Sequence, residues 1–142
     1  MSTAYIPRNL RTLVSEQAQY RCGYCLTQEW VVGAPMEIDH IIPEALGGQT
    51  ILENLWLACP LCNNHKNDKI AAIDPMSNKL VRLYNPRLQR WTEHFKWSEQ
   101  GDMIVGLTES GRVTVITLQL NRPSLVSARQ AWVSVGWHPP HE

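Results

Sequence analysis

MEIDHIIP, residues 36–43, places an Asp and a His side by side in a run of apolar and β-branched residues that ends in proline. Such a run is typical of a short strand. Residues 54–58 predict a second strand by the same criteria, and the glycine pair at 47–48 predicts a loop between the two. A proline then suits the first turn of a helix, which we expect to extend over residues 60–72. The sequence therefore predicts a strand, a loop, a strand and a helix, which is a ββα unit.

All four cysteines fall in two Cys-x-x-Cys pairs that flank the predicted strands, Cys22 with Cys25 and Cys59 with Cys62. Four thiolates in this arrangement match the closed tetrahedral site of structural Zn²⁺. Residues 1–10 lack the charged start and apolar stretch of a signal peptide, so we expect the reducing cytoplasm, where disulfides are rare. A thiol–disulfide redox protein would carry Cys-x-x-Cys beside a βαβ pattern, which this sequence lacks. The cysteines therefore predict a zinc site that staples the ββα unit.

The composition is that of a soluble folded chain. Of the 142 residues, 44% are hydrophobic and 18% are charged, which excludes a disordered chain. No apolar run approaches the roughly 20 residues of a membrane-spanning helix, so we expect no membrane partner. Lys and Arg total 13, as do Asp and Glu, so the chain is not one of the strongly basic nucleic-acid-binding proteins. Positive charge is concentrated only in the basic stretch, residues 79–96, which carries five Lys or Arg and a single Glu.

Outside the ββα unit the sequence predicts two helices and a small β-meander. Residues 9–18 predict a short helix that Asn9 can cap, and residues 123–135 predict a closing helix with proline near its start. Short strands separated by turn residues are expected at 79–84, 95–98, 103–107 and 113–118. The prediction is an α+β protein with domains 1–74, the zinc-stapled module, and 75–142, the meander with the closing helix, packed as one compact unit.

Taken in order, the motifs within residues 20–69 resemble the HNH endonucleases of the ββα-metal superfamily. The resemblance is carried by Cys22-x-x-Cys25, Asp39-His40, Gly47-Gly48, Asn54-Leu55, Cys59-x-x-Cys62-Asn63 and Lys66. Each motif alone is weak, but the ordered set is specific. The resemblance implies a metal-dependent endonuclease that hydrolyses nucleic-acid phosphodiester bonds, and we expect its partner to be DNA rather than RNA.

The resemblance also implies a role for each motif residue. Asp39 binds a divalent metal ion, His40 is the general base, and Asn54 orders the loop between the strands. The last motif position, a histidine in many family members, is Asn63 here, which implies an HNN variant with Asn63 as the second metal ligand. Carboxylate and amide oxygens are hard ligands that suit Mg²⁺ or Mn²⁺. His65 is the alternative ligand. Two residues along a helix correspond to about 200° around its axis, so His65 and Asn63 are expected on opposite sides of the helix, which favours Asn63.

A rival interpretation is a non-catalytic zinc module that binds nucleic acid or a protein partner and only keeps the nuclease shape. The nuclease and the non-catalytic module would both bind zinc. Only the nuclease would also require a hard divalent metal. The intact Asp39-His40 pair together with Asn63 favours the enzyme. Lys66 and Lys69 have two interpretations, the solvated face of the helix or contacts to phosphate.

The second half of the chain offers two further candidate surfaces. In the basic stretch, we expect Arg87 and Arg90 to lie beside the active site and contact phosphates. Trp91, Phe95 and Trp97 fit either a stacking surface for bases or a hydrophobic core, and the alternation at 95 and 97 favours the core. The aromatic residues expected to fill this core are Tyr84, Phe95, Trp97, Trp132 and Trp137.

Overall fold

The run around Asp39 forms one strand of a hairpin. In the computed structural model, which describes residues 5–141, strand β1 is Glu37–His40 and strand β2 is Leu55–Ala58. The two strands are antiparallel, and their register places Asp39 opposite Trp56. Both strands are largely buried, as expected for a short apolar hairpin that packs against helices. The two predicted strands are therefore confirmed.

Helix α3, Pro60–Lys66, follows β2 directly and completes the ββα unit. Cys59 stabilises its first turn, because Sγ accepts the backbone N–H of Cys62 at 3.4 Å. The predicted extension of this helix to residue 72 is wrong. Asn67 has a positive φ of 51°, which ends the helix, and the residues beyond it include strand β3, Ala71–Ile73.

Helix α1, Arg8–Gln17, confirms the helix predicted before the first cysteine pair. It contacts β2, and Val14 on its apolar face is fully buried. The predicted cap is wrong, because Asn9 lies inside the helix. Pro7 occupies the capping position, and no side chain accepts a hydrogen bond there.

Short helical segments lie in the connections on either side of β1. Helix α2, Glu29–Val32, precedes the strand and ends at Gly33, whose φ of 68° suits glycine. Two 3-10 turns, Glu44–Leu46 and Leu52–Asn54, lie between β1 and β2. They belong to the β1–β2 loop, residues 41–54, which contains the glycine pair predicted for it.

The remaining elements are two antiparallel hairpins and three helices. Strand β3 pairs with β4, and β5 pairs with β6. The strands are β4, Leu80–Arg82, β5, Phe95–Trp97, and β6, Ile104–Gly106. The helices are α4, Trp91–His94, α5, Glu109–Thr117, and α6, Pro123–Ser134. Three predicted strands and the predicted closing helix are thus confirmed.

The last strand predicted for the meander, residues 113–118, is wrong, because most of these residues belong to α5. Thr108 caps this helix, since its hydroxyl accepts the N–H of Gly111 at 3.0 Å. Gly111 also allows close packing, because a Cβ there would lie 2.1 Å from the carbonyl oxygen of His94. The cap and the close packing override the strand preference of the β-branched residues.

Aromatic side chains form a core around β5. The ring centroid of Phe95 lies 5.1 Å from that of Tyr84 and 5.2 Å from that of Trp91, and Trp91 lies 5.3 Å from Trp97. Phe95 and Tyr84 are buried, which confirms that they are core residues. The same expectation for Trp137 is wrong, since 46% of its surface is exposed.

The described residues divide into two compact units. The first contains the chain up to Ile70 together with Asn85–Leu88, and the second contains Ala71–Tyr84 and the residues from Gln89 onward. Helices combined with two-stranded antiparallel sheets confirm the α+β class. The two-domain organisation predicted from the sequence stays a prediction. In the part of the chain that the structure describes, no helix is both long enough and apolar enough to cross a bilayer.

Candidate active site

The four cysteines converge on one point in the first unit. Their Sγ atoms lie within 4.8 Å of one another, all four are buried, and Cys25 Sγ is 3.7 Å from Cys59 Sγ. A tetrahedral zinc ion with Zn–S bonds of about 2.3 Å would hold its sulfur ligands about 3.8 Å apart. Burial raises the pKa of the Cys22 thiol, and a bound cation would favour its thiolate form. Cys22, Cys25, Cys59 and Cys62 are therefore positioned to bind a metal, and their geometry suits structural zinc.

Backbone hydrogen bonds fix the first cysteine pair against the hairpin. The N–H of Cys22 donates to the carbonyl of Thr27 at 3.0 Å, and the N–H of Gly23 donates to the carbonyl of Leu57 at 2.8 Å. Glycine is required at position 23, because a Cβ would lie 2.3 Å from Cδ1 of Trp56. The second pair lies at the start of α3, so a metal in this cluster ties the two pairs into one unit.

Asp39 is buried between Tyr24 and Lys66, with only 3% of its surface exposed. The Tyr24 hydroxyl donates to Oδ2 at 2.6 Å, and the Lys66 ammonium donates to Oδ1 at 3.1 Å. Burial raises the pKa of Asp39, while Lys66 acts in the opposite direction by stabilising the carboxylate. Burial also raises the pKa of Tyr24, so its hydroxyl stays a donor at neutral pH.

Lys66 lies inside the fold rather than on the solvated face of α3. Its surface is 2% exposed, and besides Asp39 its ammonium donates to the carbonyls of His40 at 3.0 Å and Ile41 at 3.2 Å. An ammonium has three N–H donors, and all three are used here. Both predicted interpretations of Lys66, a solvated residue or a phosphate contact, are therefore wrong. Lys69 is exposed, as expected for a solvated position.

His40 is held on one side of its ring only. Its Nε2 lies 2.9 Å from Oγ1 of Thr50 and 3.9 Å from Oε1 of Glu44, both in the β1–β2 loop. Nδ1 is buried and forms no hydrogen bond with any residue that the structure describes. When the Thr50 hydroxyl accepts the proton on Nε2, Nδ1 is the nitrogen with a free lone pair.

Asn54 fastens the β1–β2 loop at two points. Its Oδ1 accepts the N–H of Ile42 at 2.8 Å, and its Nδ2 donates to the carbonyls of Ile42 at 3.0 Å and Gln49 at 2.9 Å. Gly48 packs against the same carbonyl, since a Cβ at this position would lie 1.7 Å from the oxygen of Ile42. The segment that carries Thr50 is therefore held in place through Asn54.

A cleft of about 440 Å³ is lined by residues of β1, α3 and the start of the β1–β2 loop. Asp39, His40 and Asn63 all line it, although Asp39 and His40 are adjacent on the strand. Nδ2 of Asn63 donates to Oε1 of Glu37 at 2.9 Å. No Lys or Arg is among the described residues that line the cleft. The acidic residues that line it are Glu37, Asp39, Glu44 and Asp68.

Residues 22–69 match the family model described as HNH endonuclease. The segment is an HNH domain. It contains both cysteine pairs and every described residue that lines the cleft, while residues 70–142 lie outside the match. No curated protein matches the chain, and no solved structure matches it.

The HNH domain brings three of the four predicted catalytic residues to one cleft: Asp39, His40 and Asn63. Asn54 does not line the cleft among the residues described, and its contacts are to the loop. His65 is likewise absent from the described lining residues, whereas Asn63 is present. The roles of these residues stay proposals.

Four residues of the HNH domain that contact the predicted site were not predicted from the sequence: Glu37, Tyr24, Glu44 and Thr50. Glu37 lies two positions before Asp39, and residues two apart on a strand share a face, so this signal could have found it. Tyr24 and Thr50 are brought to the site by the cysteine cluster and by the loop. Their contacts join residues that are 15 and 10 positions apart, and no local pattern predicts them.

Arg87 contributes to the fold of the first unit. Its Nε and Nη2 donate to the carbonyl of Leu55 at 3.1 and 3.0 Å, and Nη2 also donates to Oε1 of Gln17 at 2.8 Å. The guanidinium carbon lies 4.9 Å from the ring centroid of Trp56, a cation–π contact. These contacts give Arg87 a structural role, and the expectation that it also contacts phosphate stays a prediction.

Proposed function

We propose that this chain is a metal-dependent endonuclease whose HNH domain hydrolyses phosphodiester bonds in DNA. One observation carries the proposal. Asp39, His40 and Asn63 line a single cleft, and Nδ1 of His40 forms no hydrogen bond within the described residues. The family match supports nuclease chemistry on nucleic acids.

A divalent cation is the cofactor that the donor atoms of this cleft fit. Each carboxylate oxygen of Asp39 accepts one hydrogen bond and keeps a lone pair. The amide nitrogen of Asn63 donates a hydrogen bond to Glu37, which leaves Oδ1 as the atom that can bind a cation. Asp39 and Asn63 would hold Mg²⁺ or Mn²⁺, which bind through few protein oxygens. When bound, the cation neutralises charge on the scissile phosphate.

His40 acts as the general base in this proposal. Nδ1 takes a proton from the attacking water, and the hydrogen bond to Thr50 keeps the other ring proton on Nε2. The carboxylate of Glu44, 3.9 Å from Nε2, stabilises the imidazolium that forms. Asn54 contributes indirectly, because it orders the loop that carries Thr50.

The rival function, a non-catalytic zinc module, explains the cysteine cluster equally well. It gives no reason for a buried histidine with an unbonded nitrogen beside a carboxylate and an amide in an acidic cleft. Buried polar atoms without a partner are rare in folded proteins, and a catalytic role is one of the explanations for them. The cleft therefore favours the enzyme.

Cleavage assays with defined metals test the proposal. Zinc-loaded protein is incubated with plasmid, linear duplex, single-stranded DNA and RNA, with added Mg²⁺, added Mn²⁺ or no added metal. We expect cleavage of DNA that requires the added cation, and Asp39→Ala is expected to need more of it. Binding of DNA without any product under all metal conditions would favour the rival, and cleavage of RNA alone would replace DNA as the substrate.

A further inference from the structure

The buried ammonium of Lys66 has a role that neither the family motif nor the cleft explains. It lies 3.1 Å from Oδ1 of Asp39, and both side chains are almost completely buried, at 2% and 3% exposed. Tyr24, the other partner of the carboxylate, is neutral at ordinary pH because burial raises its pKa. The ion pair with Lys66 is therefore the charge compensation that the fold itself provides for Asp39.

Charge balance links this ion pair to the cation site. A carboxylate without a compensating charge is strongly disfavoured in a buried position. The pair of Asp39 and Lys66 has no net charge. A divalent cation that binds Asp39 therefore gains less electrostatic energy than it would from a carboxylate without a counter-ion. Lys66 and the cation carry the same sign and draw on the same carboxylate.

We propose that Lys66 is the resident counter-ion of Asp39, a positioning residue that holds the carboxylate and its charge balance until a divalent cation binds. This inference rests on the proposed function, in which Asp39 is a ligand for that cation. Lys66 also fixes the end of β1 through the carbonyls of His40 and Ile41. It does not act on the substrate, because its three N–H donors are used inside the protein.

The proposal predicts an inverse relation between stability and cation binding in Lys66→Met. Without the ammonium, the variant is less stable than wild type in the absence of added metal. Mn²⁺ then supplies the missing positive charge, so its apparent affinity for the variant rises about tenfold or more. The measurement is the thermal unfolding temperature of zinc-loaded protein without nucleic acid, as a function of Mn²⁺ concentration.

Two matched variants make the test specific. Asp39→Asn with Lys66→Met removes both charges, so it is expected to regain stability and to lose the response to Mn²⁺. Tyr24→Phe removes the neutral hydrogen bond and keeps the ion pair, so its Mn²⁺ affinity is expected to stay within about threefold of wild type. If Lys66→Met folds only after Mn²⁺ is added, that result supports the proposal. The Mn²⁺ titration is then repeated with Lys66→Gln, which keeps a neutral hydrogen-bond donor at this position.

Four outcomes would overturn the proposal. An unstable Lys66→Met with the wild-type response to Mn²⁺ would make Lys66 a purely structural residue. A stable variant whose DNA binding loses about one unit of salt slope would make it a phosphate contact. If the wild-type protein cleaves DNA with Mg²⁺, but wild type and Lys66→Met respond alike to Mn²⁺, only the counter-ion role of Lys66 is refuted. The proposed function then stands. A wild-type protein that neither cleaves nor responds to Mn²⁺ refutes the proposed function as well.

Discussion

At the scale of single residues, the orientation of Asn63 depends on its hydrogen bond to Glu37. An amide can present either nitrogen or oxygen to the cleft, and this bond leaves the oxygen for the cation that we propose. We expect Glu37→Ala to raise the Mg²⁺ concentration for half-maximal cleavage about 10-fold to 100-fold, as for other residues that orient metal ligands. The control is Glu16→Ala, which removes an exposed carboxylate on α1. Equal metal requirements for the two variants would contradict the role given to Glu37.

The glycine pair of the β1–β2 loop offers a second test at this scale. A Cβ at Gly48 would lie 1.7 Å from the carbonyl oxygen of Ile42, whereas a Cβ at Gly47 meets no atom within 4 Å. Gly47→Ala is expected to cost about 1 kcal/mol, because its φ of 89° is strained for alanine.

Gly48→Ala is expected to cost about 1–3 kcal/mol and to reduce cleavage strongly, because the loop that carries Thr50 must move. Urea unfolding and cleavage rates check both variants. A Gly48→Ala protein with wild-type cleavage would show that the position of Thr50 does not matter for His40.

The three residues that line the cleft and are proposed to act there were predictable from the sequence, and the residues that contact them were not. Asp39, His40 and Asn63 follow from ordered motifs whose spacing is local. Lys66 was misjudged because helix periodicity gives the side of α3 on which it lies, but not that this side faces a buried carboxylate. Such a contact depends on the packing of α3 against β1, which no spacing rule supplies.

At the scale of elements, the segment Asn85–Leu88 depends on Arg87, which bonds the carbonyl of Leu55 and the side chain of Gln17. We expect Arg87→Ala to lower the free energy of unfolding by about 1–3 kcal/mol, because the hydrogen bonds to the Leu55 carbonyl and the cation–π contact are lost together. The salt dependence of DNA binding is expected to stay unchanged. Arg90→Ala, at an exposed position, is the control for stability. A stable Arg87→Ala with a reduced salt slope would show instead that Arg87 contacts phosphate.

Secondary structure was predictable where local pattern and packing agree. The hairpin β1–β2 and the helix α6 follow the apolar pattern and the position of proline. The β-branched run at 113–118 predicted a strand, but the Thr108 cap and the close approach at Gly111 favour a helix. The end of α3 was missed because the positive φ of Asn67 has no unambiguous sequence signal.

At the scale of the whole molecule, we expect the folding of the first unit to depend on metal bound at the cysteine cluster. Structural zinc contributes on the order of 10 kcal/mol of apparent binding free energy in small domains, which exceeds the stability of many domains. We expect one zinc per chain, and we expect Cys59→Ser to give unfolded or aggregated protein. Elemental analysis and circular dichroism check this. A zinc-free protein with native circular dichroism would contradict the structural role.

Organisation at this scale was only partly predictable. Cysteine spacing predicted the metal cluster, because four ligands in two pairs leave few alternatives. The assignment of Asn85–Leu88 to the first unit was not predictable, since it depends on contacts such as that between Arg87 and Gln17, which are 70 positions apart. The neutral charge balance likewise gave no indication of the acidic cleft, because Glu37, Asp39, Glu44 and Asp68 converge only after folding.

Single-turnover cleavage by His40→Ala tests whether His40 is the general base of a nuclease. Zinc-loaded wild-type and variant proteins are compared with saturating Mg²⁺ and DNA, after equal zinc content, unfolding temperature and DNA affinity have been established. A positioned base contributes about 100-fold to 10,000-fold, so we predict a loss of at least 100-fold in the chemical step, with folding and binding intact. A folded His40→Ala protein that cleaves at the wild-type rate would show that His40 is not the general base.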